Sequence, residues 1–336
     1  MILMKHTICA GILSALSIGS ADAVGELRIF NSNNYTNPKL IEKFEKEYDV
    51  SVTLDTFASN DNMLTKVRAG NTGYDVVVGS DYAIKVLVDG GLLLETDPNA
   101  MENFKNVDPK LIDVYWDPGR RYSTPWQMGI KAIAINTDKY KGPADGLNLL
   151  FDPPEELRGR INMLDDMTTV MHTAERYLGF PSCTADKAQL KAINDLLLRA
   201  KPFWRTLSYE VMDKMIAGDV DVSQSWTGAT YRLRQKSPAV KFVYTKEIME
   251  AWADNVVVLK KAPNADNAKL FQNFLMAPEN AALVSEFAGY DSGIIGSLKF
   301  LAPEFANALE MNPPADARSE FVPPCPQDVV AMYNRI

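Results

Sequence analysis

The stretch Tyr74-Asp75-Val76-Val77-Val78-Gly79-Ser80-Asp81-Tyr82 decides how this chain folds. Three consecutive valines bounded by Gly73 and Gly79 predict a fully buried strand, too short and too β-branched to be a helix. Gly79 ends that strand, and a hydroxyl, a carboxylate and a phenol follow at once. They are delivered just past the carboxyl end of a central strand, which is where ligands bind in an open α/β sheet. The same residues also suit an ordinary strand-to-helix turn, in which Ser80 or Asp81 caps a helix from Ala83. Other parts of the chain repeat this design, and the repetition favours a binding role.

Working outward, residues 26–30 alternate as a strand and end in the polar cluster Asn31-Ser32-Asn33-Asn34-Tyr35. Pro38 with periodic Leu40, Ile41, Phe44 and Tyr48 predicts an amphipathic helix. A strand over 50–54, a helix over 62–69, the valine strand and a helix over 83–88 complete a β-α alternation that implies a largely parallel sheet. Residues 122–130 lead through a bend into the alternating strand 132–136. Further strands are expected at 161–164, 220–226 (followed by a small turn at Thr227-Gly228-Ala229), 240–244 and 256–259. Helices are expected at 169–178, 187–199, 209–217, 265–275, 279–287 and 327–334.

Lys5, the apolar run over 7–18 and Ala21-Asp22-Ala23 have the form of a secretory leader, with cleavage expected after Ala23. Cys9 sits inside the apolar run rather than at its end, which argues against a lipid anchor. No later stretch is long and apolar enough for a membrane span. An exported protein of a bacterial periplasm is therefore expected. The remaining chain of about three hundred residues exceeds what one compact core usually holds, so two lobes are expected. The net charge is −8 with no basic run, which sets nucleic acid aside as a partner. Cys183 and Cys325 are the cysteines beyond the leader, and an oxidising compartment invites a bridge between them, two separate buried thiols being the alternative.

Several chemistries are missing. His6 lies in the leader and His172 is the other histidine, so His and Cys spacing supports no metal site. No nucleophile elbow, phosphate loop or dinucleotide fingerprint appears, and no cofactor is expected. Acids are plentiful enough that a two-carboxylate hydrolase is a rival reading, yet no pair is singled out.

From Phe30-Asn31 to Tyr35, through Lys66-Val-Arg-Ala-Gly70-Asn-Thr-Gly-Tyr-Asp75, the chain resembles the periplasmic putrescine and spermidine receptors of ABC importers. The resemblance recurs at Thr124-Pro-Trp126, Gly129, Asn136, Leu178-Gly179, Trp226, Trp252-Ala-Asp254 and from Pro326-Gln-Asp328 to Ile336. It implies a two-lobe α/β periplasmic-binding-protein fold of the type II kind. Each lobe is then a mainly parallel sheet flanked by helices, with a ligand cleft between them. The lobes are expected to comprise 24–131 with 252–294, and 132–251 with 295–336. A monomer that captures a small amine-bearing solute and presents it to a membrane permease, without catalysis, is the implied function.

The chemistry of such a site is readable from residues. A desolvated ammonium needs a carboxylate, and the methylenes between ammoniums need aromatic faces. Trp252 and Asp254, two apart on an extended segment, point to one side and form a plausible clamp. The resemblance places Tyr35, Ser80, Trp226, Trp252, Asp254 and Tyr290 at the ligand. Asn34, Asp81, Tyr82, Trp126, Asp166 and Arg205 complete the candidate set. Several family acids are absent: Asn34, Thr169 and Ala229 stand where acids are frequent, and Ser32 where an aromatic is frequent. Fewer carboxylates disfavour a long polyamine. A putrescine-like diamine leads; a zwitterion such as γ-aminobutyrate, its carboxylate held by Arg205 or Lys131, is the alternative.

Overall fold

A computed structural model describes residues 25–336. The leader and its cleavage position at Ala23 lie outside the described residues. The chain alternates as the valine stretch implies: β1 (Gly25–Ser32), α1 (Pro38–Tyr48), β2 (Val50–Phe57), α2 (Asn60–Ala69), β3 (Val76–Ser80) and α3 (Asp81–Asp89). Asn37 caps α1 by accepting from the Lys39 N–H at 3.0 Å, and Pro38 takes the first turn, where no amide donor is needed. Asp75, at the head of β3, is a structural acid. It is buried and accepts hydrogen bonds from the Arg28 and Asn264 backbone amides at 2.8 and 2.6 Å.

The molecule turns on two strands that cross from one lobe to the other. β4 (Ser123–Asn136) is a continuous strand of 14 residues where the sequence suggests a bend followed by a shorter strand. The second lobe adds β5 (Ile161–Met163), α4 (Met167–Leu178), α5 (Lys187–Ala200), β6 (Trp204–Leu207), β7 (Val222–Trp226), α6 (Thr227–Lys236) and β8 (Val240–Val243). β9 (Met249–Val258) crosses back and is followed by α7 (Ala265–Leu275), α8 (Pro278–Ala288), β10 (Ser319–Phe321) and α9 (Gln327–Tyr333). The resulting 10-stranded sheet runs β2-β1-β3-β9-β4-β7-β5-β6, with β8 beside β4 and β10 beside β9. Each end is a parallel trio, β2-β1-β3 and β7-β5-β6, and the antiparallel pair β9-β4 joins them. This is a two-lobe α/β architecture.

Two differences from the sequence expectation have clear causes. The small turn at Thr227–Ala229 is the first turn of α6, which springs directly from β7 without a capping side chain. Its glycine hides the helix from propensity: a Cβ at Gly228 would lie 2.4 Å from the Tyr290 ring and 2.5 Å from the Gly289 carbonyl oxygen. Close packing against residues 289 and 290 therefore selects glycine at this point. The second difference is that β9 begins at Met249 and not near Val256, because its cleft half alternates buried and part-exposed residues rather than forming an apolar run. Apolar cores fill both lobes, one around Leu27, Phe44, Val76 and Phe271, the other around Ile133, Phe151, Ile161 and Met171. Cys183 and Cys325 are bonded, with S–S 2.03 Å and Cα–Cα 5.2 Å, tying the segment before α9 to the loop after α4.

Candidate functional site

A cleft of about 1180 Å³ opens where the carboxyl ends of β1, β3 and β7 meet the cleft half of β9. Its floor comes from a period of two along β9: the part-exposed Glu250, Trp252 and Asp254 line the cleft, with the largely buried Ala251 between them, while Met249 and Ala253 are buried outside the lining. On β4, Lys131 pairs with Glu250, Gly129 with Trp252 and Gln127 with Asp254. Gly129 is what allows the indole to lie there. A Cβ at this position would sit 2.7 Å from Trp252 Cζ2 and 2.8 Å from Thr227 Oγ1. Gly129→Ala is therefore expected to displace the indole and weaken ligand binding about ten-fold, an overpacking cost of about 1–3 kcal/mol. Calorimetry beside a melting curve checks this; unchanged affinity would remove Trp252 from the ligand's contacts.

One end of the cleft is an acid set among aromatic rings. The Tyr35 hydroxyl donates to Asp254 Oδ2 at 2.7 Å, and Trp252 meets Tyr290 edge-on at 5.0 Å. Burial lifts the Asp254 carboxyl to about 6, despite the lowering by the Tyr35 hydrogen bond. The Tyr35 and Tyr290 phenols are likewise pushed up, mainly by burial. Arg232 lies over the Tyr290 ring at 5.5 Å and donates to the Ala288 carbonyl, so its charge is engaged with the wall.

The opening stretch supplies a second acid. Ser80 makes no cap bond to α3. Its hydroxyl accepts instead from Asn60 Nδ2, on the neighbouring α2. Asp81 is buried at the head of α3 and accepts from the Tyr82 amide at 2.8 Å. Burial, followed by the charges of Asp254 and Glu250, raises its carboxyl to about 8. Across the cleft, Asp166 caps α4 by accepting from the Thr169 amide at 2.6 Å, and Trp226 stacks on Tyr209 at 5.8 Å.

Of the candidates named from sequence, Asn34, Tyr35, Ser80, Asp81, Tyr82, Asp166, Trp226, Trp252, Asp254 and Tyr290 line the cleft. Trp126 and Arg205 do not. The pairing of β4 with β9 shifts between Asp254 and Asn255, where Gln127 and Pro125 are the successive partners, leaving Trp126 as the extra residue of a bulge. That bulge turns its indole into the core behind Tyr35, the rings 6.3 Å apart. Arg205 is exposed on β6, the outermost strand, outside the cleft lining. Ala229 is buried within α6. Asp61, Tyr209, Arg232 and Glu250 line the cleft but are missing from the sequence-based set. Glu250 was legible by the alternation that pairs Trp252 with Asp254; Asp61 on α2, Arg232 on α6 and Tyr209 between elements depend on which segments the fold brings together.

The far end holds a charge cluster. Lys131 Nζ donates to Glu250 Oε1 at 2.9 Å and to Thr169 Oγ1 at 2.8 Å. Arg176 Nη1 and His172 Nδ1 lie 3.5 and 3.6 Å from Glu250 Oε2. Burial alone would raise the Glu250 carboxyl, but Lys131 and His172 overrule it and hold it well below the ordinary range. His172 Nε2 also lies 3.2 Å from Cys325 Sγ.

This architecture matches a known class. Residues 39–311 fit the family described as bacterial extracellular solute-binding protein. The chain belongs to that family. It is 30% identical to the spermidine/putrescine-binding periplasmic protein of Escherichia coli K12 over 317 residues, covering 93% of this chain and 90% of the relative. The putrescine/cadaverine-binding protein of Pseudomonas aeruginosa is 26% identical, with 96% and 94% covered. Among solved structures, the spermidine/putrescine ABC transporter substrate-binding protein of Streptococcus pneumoniae superimposes with a TM-score of 0.86 at 26% identity, covering 93% and 97%.

Proposed function

We propose that this solute-binding protein is the periplasmic receptor of an ABC importer for a short polyamine, a putrescine-like diamine. One observation carries the reading: Asp254 is a part-exposed carboxylate on the cleft wall, set among Tyr35, Trp252 and Tyr290, the chemistry that an alkylammonium with a methylene tail requires. Asp81 or Asp166 takes the second ammonium. The names of the relatives, which bind putrescine, cadaverine or spermidine, support the same class.

The cleft is larger than the usual 300–1,000 Å³ of a closed ligand pocket, so a small diamine is gripped only when the lobes close. The lobes divide as 24–131 with 252–294 and 132–251 with 295–336, hinged where β4 and β9 cross. The receptor acts as a monomer without catalysis, loses its leader after Ala23, and delivers the solute unchanged to a permease. Titration with putrescine should change the fluorescence of the cleft tryptophans, and the diamine should be recovered intact after denaturation. Consumption of the diamine would replace the receptor by an enzyme.

A further inference from the structure

We propose that Lys131 is a built-in ammonium that fills the far acidic subsite of the cleft and excludes a third ligand ammonium, making the receptor selective for short diamines over linear triamines. The proposal rests on the amine-receptor reading above. Glu250 and Asp254 lie four residues apart on one face of β9, about 13 Å at a strand's rise of about 3.3 Å per residue, with the Trp252 indole between them. An acid, an aromatic face and a second acid in line form a track for an extended polycation. In this chain the second acid is already taken.

Lys131 Nζ sits 2.9 Å from Glu250 Oε1 and 2.8 Å from Thr169 Oγ1, the contacts a ligand ammonium would make. The pair is poorly hydrated, with side chains 11% and 20% exposed. The other oxygen of Glu250 faces Arg176 and His172. Glu250 is thus neutralised from both sides, and the Thr169 hydroxyl beside it already accepts from Lys131. A diamine anchored on Asp254 stops short of this cluster. The third nitrogen of a triamine laid along Trp252 arrives beside Lys131 and meets like charge at low dielectric.

Methionine reproduces the lysine stem without Nζ, so Lys131→Met empties the ammonium position and leaves Glu250 and Thr169 to receive a ligand nitrogen. Calorimetric titrations with putrescine and spermidine on the wild type, Lys131→Met and Lys131→Arg test this. The wild type is expected to bind putrescine at least about ten-fold tighter than spermidine. In Lys131→Met the ratio falls about ten-fold or more through tighter spermidine binding, whereas Lys131→Arg keeps the wild-type preference. A folded Lys131→Met protein with an unchanged ratio would overturn the proposal while the receptor reading stands. A wild type that binds neither amine overturns both. Should Lys131→Met fail to fold, Glu250→Gln gives the same test in reverse. It strips the lysine of its carboxylate and is expected to weaken spermidine more than putrescine; equal losses would overturn the proposal.

Discussion

Asp254→Asn is expected to lower affinity for a short diamine by more than about a hundred-fold, the 3–5 kcal/mol that follows when one partner of a buried ion pair is removed. The substitution is nearly isosteric. The Asn oxygen can still accept from the Tyr35 hydroxyl, which the carboxylate holds at 2.7 Å in the wild type. What disappears is the charge that stabilises a desolvated ammonium. Folding should not suffer, because the fold already opposes ionisation of Asp254, lifting it to about 6 by burial. A melting temperature at or above that of the wild type, together with lost binding, is therefore the expected pair of results. Affinity within a few-fold of wild type would show that the ammonium is anchored elsewhere.

Acidification should produce the second large effect. Diamine nitrogens stay protonated throughout the relevant range, with pKa values near that of lysine, about 10.4. The pH dependence then belongs to the protein's acids. Below pH 6 the unliganded Asp254 is protonated and must release its proton to bind, so affinity should fall about ten-fold per pH unit. Asp81, lifted to about 8, is largely neutral at pH 7. If it takes the second ammonium, binding at pH 7 releases about one proton, measurable as a buffer-dependent calorimetric heat. Stability of the unliganded protein moves the other way. Both folded-state values lie above the ordinary carboxylate value, so the neutral forms favour the fold at low pH. That contribution is lost as pH rises through 6 for Asp254 and through 8 for Asp81. Affinity that is flat from pH 4 to 7 would contradict this assignment of the anchoring acids.

Much of this was legible without coordinates, for identifiable reasons. The valine strand, its glycine stop and the β-α alternation are local signals, and they place Ser80, Asp81 and Tyr82 at the cleft. The two-residue period of an extended chain places Trp252 and Asp254 on one face, and extending it by two residues reaches Glu250. Trp126 shows the limit: a single bulge turned its side chain into the core, and nothing local in Thr124-Pro125-Trp126 announces where the register shifts. The Lys131–Glu250–Thr169 cluster joins residues separated by 119 and 38 positions and exists only because β4, α4 and β9 converge. Counting acids along the chain could not show that one of them is cancelled by a lysine. Arg205 met the same limit, since its charge is plain in the sequence but its strand forms the outer edge of the sheet.

The central claim is that a ligand ammonium rests on Asp254 inside the ring of Tyr35, Trp252 and Tyr290. A crystal structure of the protein soaked or co-crystallised with putrescine tests it most directly. The account expects one amine nitrogen within about 3 Å of an Asp254 carboxylate oxygen, with the methylene chain against the Trp252 indole. Putrescine bound elsewhere in the cleft, with Asp254 touching only Tyr35, would contradict it.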